Sequence, residues 1–182
     1  YRILSRYEKQ HLPASERIAA AVLIPLYEDE EGWRVVFIKR TWRVSTHKGQ
    51  ISFPGGARDV IDADLEATAL RESWEEIGLK PEDAEVIGEL DDEFTTTSNY
   101  IMTPFVAVIP WPYQFTANRF EVEKIVTVPL TALLDDRNIS SDTEMLDGEP
   151  LPSYSYRYQG EVIWGATARI LHKFLDLLKP AC

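Results

Sequence analysis

The chain of 182 residues has a single cysteine, its last residue Cys182, so no internal disulfide is available and a reducing, cytoplasmic setting is the expectation. Long apolar runs are missing as well. Nothing approaches the roughly 20 residues of a membrane span, although 45% of the residues are hydrophobic. Positive charge is scarce: 19 Lys and Arg stand against 30 Asp and Glu, a net charge of -11. That balance argues against general affinity for nucleic acid or for an anionic membrane. No repeat, low-complexity tract or Pro/Gly/Ser linker divides the chain, so residues 1–182 read as one domain behind a polar lead-in at 1–15. The sequence begins on Tyr1 rather than methionine and reads as trimmed.

Acids are absent from one stretch where bases gather. Between Gly32 and Arg58 there is no Asp or Glu, while Arg34, Lys39, Arg40, Arg43, Lys48 and Arg58 all occur there. From Asp59 to Glu93 acids dominate. A basic strip beside an acidic one suits a polyphosphate held by side chains at one end and by cations at the other. The plain alternative is a strand with solvated basic side chains.

The pattern of apolar residues predicts strands over Arg17–Tyr27 and Trp33–Arg40, joined by an acidic turn, and a short strand over Gln50–Phe53. A tight turn is expected at Pro54-Gly55-Gly56. A helix follows from an N-cap at Asp64 to Ile77, closed by Gly78, with Leu70, Trp74 and Ile77 as its packed stripe. Further strands are expected over Glu85–Phe94, Ile101–Ile109 and Phe120–Val126, and a short helix over Pro129–Leu134. A hairpin is expected around Gln159-Gly160, and a closing amphipathic helix over Thr167–Leu178. Strands, a helix, more strands and a final helix imply an α/β/α sandwich around a mixed sheet.

The helix after Asp64 carries the chemistry. On it Glu72, Glu75 and Glu76 stand three and four residues apart, on one face. Like charges at that spacing cost roughly 0.2–0.5 kcal/mol per pair, so the cluster calls for a cation. Magnesium, which takes oxygen ligands from a few carboxylates and from substrate phosphates, is the natural one.

The stretch GGARDVIDADLEATALRESWEEIGL, Gly55 to Leu79, resembles the signature of the Nudix hydrolases, through Gly56, Arg71, Glu72, Glu75, Glu76, Gly78 and Leu79. Two positions depart from it: Asp62 replaces an earlier glutamate with one extra residue before Arg71, and Ser73 stands where an aliphatic residue is usual. The resemblance implies a Nudix-type sandwich and hydrolysis of a phosphoanhydride with Mg2+ or Mn2+. It implies metal binding by Glu72, Glu76, Glu75 and a backbone carbonyl at Gly55 or Gly56, with Arg71 orienting a carboxylate.

Upstream, VVFIKRTWRVSTHKGQISFPGG is similar to the element that marks the coenzyme A pyrophosphatases within that family, through Lys39, Arg40, His47, Gly49, Gln50, Phe53 and Pro54. The likeness extends to GELDDEFTTTSNYIMTPFVAVIP and IWGATARIL. It implies coenzyme A or a derivative as substrate, with 3',5'-ADP and 4'-phosphopantetheine as products. Arg40, Arg43, His47, Lys48, Gly49 and Gln50 are the substrate-binding candidates, His47 equally suited to tying down its loop. Ser45 stands where an arginine is expected, and Asn99 where a glycine is usual. Tyr100, Trp111 and Tyr154 are aromatic residues that either stack on adenine or belong to the core. The rival readings are a Nudix hydrolase of ADP-ribose, a dinucleotide or a nucleoside triphosphate, and a catalytically silent nucleotide-binding regulator. The partner expected is a small nucleotide, and a homodimer is compatible with the sequence.

Overall fold

The computed structural model describes residues 4, 7, 9, 16–42, 49–96, 98–146 and 148–179. Strand β1 (Ile18–Asp29) and strand β2 (Gly32–Arg40) form the hairpin foreseen from the sequence, pairing from Leu26↔Val35 to Asp29↔Gly32. Their side chains alternate in the way the pleat demands. Val22, Ile24 and Leu26 with Val35 and Phe37 enter one core, while Ala21, Leu23 and Tyr27 with Val36 and Ile38 enter another on the opposite face. A sheet apolar on both faces must be covered on both, and each buried Leu, Ile or Phe contributes roughly 1.5–3 kcal/mol to keeping it so.

Helix α1 (Leu65–Ile77) covers one face through Ala69 and Ile77. Its caps are those the sequence announces: Asp64 accepts a hydrogen bond from the Ala67 N–H, and Gly78 closes the helix at φ 69°. Helix α3 (Gly165–Leu178) covers the other face through Ile170, Leu171 and Phe174. The short helix α2 (Leu130–Leu133) lies between them in sequence and adds Leu133 to the α3-side core.

The main sheet is mixed. Strand β7 (Tyr100–Val108) runs parallel to β1, and strand β8 (Val122–Pro129) runs antiparallel to β2. Strands β3 (Ile51–Ser52), β5 (Glu85–Glu89) and β6 (Glu93–Phe94) add shorter antiparallel edges. The single strand expected over Glu85–Phe94 is thus two, broken around Leu90, which turns into the core at 1% exposure. The turn expected at Pro54–Gly56 is in fact the start of strand β4 (Gly55–Ala57), which pairs with Ala20–Val22 of β1.

Strand β9 (Ile139–Leu146) was not foreseen, because its residues are mostly polar and exposed. It pairs with β10 (Glu149–Tyr158), and β10 pairs with β11 (Glu161–Ile163), giving a separate three-stranded sheet. Gln159 and Gly160 turn the last hairpin at φ 48° and 82°, the positive-φ pair a two-residue turn prefers. Asn99 likewise sits at φ 54°, where asparagine is better tolerated than most residues. No helix among the described residues is long and apolar enough to cross a membrane.

Candidate active site

The inward stripe of α1 is rotated by about one residue from the expected one. Ala69, Ser73, Glu76 and Ile77 face the sheet, whereas Trp74, expected in the core, is 48% exposed. Small side chains at 69 and 73 let the helix approach closely, and the Ser73 hydroxyl is satisfied by donating to the Ala69 carbonyl at 2.7 Å. The stripe therefore carries a glutamate inward. Glu76 is 2% exposed; its Oε2 accepts from the Gly55 N–H at 3.0 Å and its Oε1 from Arg40 Nη1 at 3.2 Å.

The three glutamates consequently do different things. Glu72 lies one turn before Glu76, with its carboxylate against Gly56: a Cβ built there would come within 2.5 Å of the Glu72 carboxyl carbon. Glu75 leans outward, with 53% of its side chain exposed, and meets Arg71 at 3.4 Å. Arg71 is the hub. Its Nε and Nη2 grip the buried Asp62 at 2.8 and 2.9 Å, its Nη2 also reaches the Ala57 carbonyl at 3.1 Å, and its Nη1 donates to Glu72 at 2.8 Å. Asp62, one residue out of register with the usual glutamate, thus anchors the guanidinium that aims Glu72. Hydrogen bonds from Arg71 hold the Asp62 carboxyl well below the usual carboxylate range.

Glu72 and Glu76 open into one cleft of about 300 Å³. Arg40, Gln50, Ser52 and Glu121 also line it. Glu121, in the turn before β8, was missed from sequence because it belongs to no motif segment. Burial, with Glu121 and Glu72 as further negative neighbours, pushes the Glu76 carboxyl up to about 8. Burial also raises Glu72, against the pull of Arg71. Two buried polar atoms of residues lining the cleft, Arg40 Nε and Ser52 Oγ, have no hydrogen-bond partner among the described residues. Among the described residues no group of three or more His, Cys, Asp or Glu is placed so that it could by itself hold a metal ion. Two hard carboxylates on a cleft, one of them seated where only a glycine leaves room, nevertheless fit an ion such as Mg2+, which keeps waters and takes substrate phosphates for the rest of its shell.

The basic strip does not act as a unit. Arg34 is tied to Asp29 and Glu31 at the hairpin turn, and Lys39 reaches Glu161 at 3.2 Å. Arg58 donates to the carbonyls of Asp62 and Ala63. Arg40 alone of these four lines the cleft, where the β2–β8 register shifts. Gln50 is with it, whereas Gly49 lies against the Trp42 ring and donates its N–H to the Arg40 carbonyl. Arg43, Ser45, His47 and Lys48 lie outside the described residues. Of the aromatic candidates, Tyr100 lines the cleft, Trp111 stacks on Tyr27 and Tyr154 stacks on His172.

Replacing Gly56 by alanine tests the seat of Glu72. The variant is expected to fold, since the displaced group is a side chain at the cleft surface, but to lose at least about tenfold in activity. Near-normal turnover would show that Glu72 is free to move without consequence.

Residues 17–148 match the NUDIX domain, and the chain belongs to that family. The uncharacterized Nudix hydrolase NudL of Photorhabdus laumondii is 32% identical over 175 residues, covering 93% of this chain and 92% of that protein. Among solved structures, a MutT/nudix family protein from Enterococcus faecalis aligns with a TM-score of 0.61 over 93% of this chain and 66% of that one, at 15% identity. The NUDIX domain of Shewanella oneidensis NrtR complexed with ADP ribose aligns with a TM-score of 0.52 over 73% and 84%, at 18% identity. At such identities the two structures speak to the fold, which is the Nudix fold. The chain is accordingly a Nudix hydrolase, of a family that acts on small nucleotide substrates and generally uses divalent ions such as Mg2+ or Mn2+.

Proposed function

We propose that this one domain hydrolyses the diphosphate of coenzyme A or a derivative, releasing 3',5'-ADP and 4'-phosphopantetheine. The observation that carries the reading is a single cleft in which Glu72 and Glu76 meet Arg40 and Gln50, two residues of the upstream element that resembles the coenzyme A pyrophosphatases. Glu72 and Glu76, with a backbone carbonyl at Gly55 or Gly56 and with Glu75, would hold Mg2+ or Mn2+. When bound, the ion neutralises phosphoryl oxygens and lowers the pKa of water.

The chain's own groups do the rest. Arg71, braced by Asp62, fixes the Glu72 carboxylate. Arg40 leans on Glu76 and offers its charge to a phosphate, with Gln50 beside it; the resemblance to the coenzyme A pyrophosphatases adds Arg43, His47, Lys48 and Gly49 as substrate-binding candidates. The attacking water gives its oxygen to phosphorus as the bridging P–O bond breaks, and the water's proton passes to a carboxylate. We assign that proton to Glu121, a cleft carboxylate that accepts from the Asn118 side chain at 3.4 Å.

A panel of coenzyme A, ADP-ribose, NADH and diadenosine polyphosphates with each metal tests the substrate. Coenzyme A is expected to give the highest kcat/KM; preference for another diphosphate would overturn the substrate while leaving the family intact. Glu121→Gln is expected to lower kcat at least about tenfold with KM little changed. An unchanged kcat would pass the base role to another group.

A further inference from the structure

The cleft reaches beyond the carboxylates. Glu72 and Glu76 enter it from α1, while Trp164, Gly165, Thr167 and Ile170 enter it from α3 on the other side of the sheet. Besides the charged groups its wall includes Met102, Val22 and Ile170 and the hydroxyl residues Thr95 and Thr167. A neutral, part-apolar wall does not suit a diphosphate, but it suits the uncharged flat part of a nucleotide.

Trp164 is the anomaly in this wall. It is 51% exposed, directly after Ile163 at 2% and just ahead of the buried Ala168. It also occupies the N-cap of α3, which has no side-chain cap. Serine, threonine, aspartate or asparagine at such a position satisfies a first-turn N–H, and an indole has no acceptor with which to do so. The largest side chain in the code therefore neither fills the core nor caps the helix it precedes. Two of the other aromatic candidates are engaged internally: the Trp111 ring lies 4.0 Å from Tyr27 and the Tyr154 ring 3.7 Å from His172, both nearly parallel.

We propose that Trp164 is the platform on which the base of the nucleotide substrate stacks. The proposal rests on the nucleotide-diphosphate reading above and adds the residue that selects for a base. Stacking is tolerant of base identity, because every base has a π-face, so Trp164 favours nucleotides over base-free phosphates without choosing among the bases.

The test compares Trp164→Ala, Trp164→Phe and Trp164→Ser with the wild type. For an adenine-bearing diphosphate substrate, Trp164→Ala is expected to raise KM about tenfold with kcat within about twofold, and Trp164→Phe to recover most of the loss. Inhibition by inorganic diphosphate, which has no base, is expected to be unchanged. Trp164→Ser is expected to melt at a higher temperature than the wild type while showing the raised KM, because it gains a cap and loses the platform. An unchanged KM, or an equal loss towards inorganic diphosphate, would overturn the assignment. Calorimetric binding of AMP separates it from the proposed reaction. If no diphosphate is turned over but AMP binds and binds about tenfold more weakly to Trp164→Ala, stacking stands and the reaction falls; if AMP does not bind, or binds both proteins equally, stacking falls.

Discussion

Glu76→Gln is expected to fold normally and to lose on the order of 10²–10³ in kcat. The amide oxygen can still accept from the Gly55 N–H, whereas its NH2 cannot accept from Arg40 Nη1 and the charge facing the cleft is lost. A folded variant with near-normal turnover at saturating Mg2+ would remove Glu76 from the metal site. Stability supplies a second readout. In the metal-free fold burial pushes the Glu76 carboxyl from its ordinary 4.5 up to about 8, so between those values the folded state holds a proton that the unfolded chain releases. Stability from this group is then greatest below about pH 4.5 and is lost as pH rises towards 8. The melting temperature of chelated Glu76→Gln should match the wild type near pH 5 and exceed it by a growing margin up to pH 8. Added Mg2+ should reverse the order, because a cation favours the ionised carboxylate. A margin that does not change with pH would contradict the burial argument.

Arg71→Lys is expected to cost about 10–100-fold in activity and about 2 kcal/mol of stability although the charge is conserved. Lysine offers one compact ammonium, whereas Arg71 uses separate nitrogens for Asp62, the Ala57 carbonyl and Glu72. The loss leaves the buried Asp62 poorly paired and Glu72 free to turn. Because Asp62 titrates below its ordinary range in the fold, the stability it contributes is present above its unfolded pKa and disappears in acid; the variant's deficit should therefore shrink as pH falls below about 4. Urea melts at pH 7 and pH 3 check this, and an equal deficit at both would place the loss elsewhere.

Much of the scaffold was legible because its signals are local. Asp64 and Gly78 bracket α1 by capping chemistry, the β1–β2 hairpin follows from runs of β-branched residues around an acidic turn, and α3 from its apolar stripe. Strand β9 was not legible, since a mostly exposed strand has no apolar alternation to betray it. Trp74 misled for a related reason. Hydrophobicity places tryptophan inside, but α1 turns a small-residue stripe inward so that Glu76 can reach Gly55, and function overrode the apolar pattern.

The sequence by itself was enough to place the protein in its class through the resemblance of Gly55 to Leu79 to the Nudix signature, because that signature is local and needs no knowledge of the rest of the chain. Only the tertiary structure decided how those residues divide their work. Burial sends Glu76 inward, Arg71 and Asp62 aim Glu72, and Glu75 leans outward against Arg71. It also brought Glu121 and Trp164, remote in sequence from the motif helix, to the same cleft. Burial and long-range pairing are properties of the packed chain, and no periodicity within one segment encodes which distant segment will complete it.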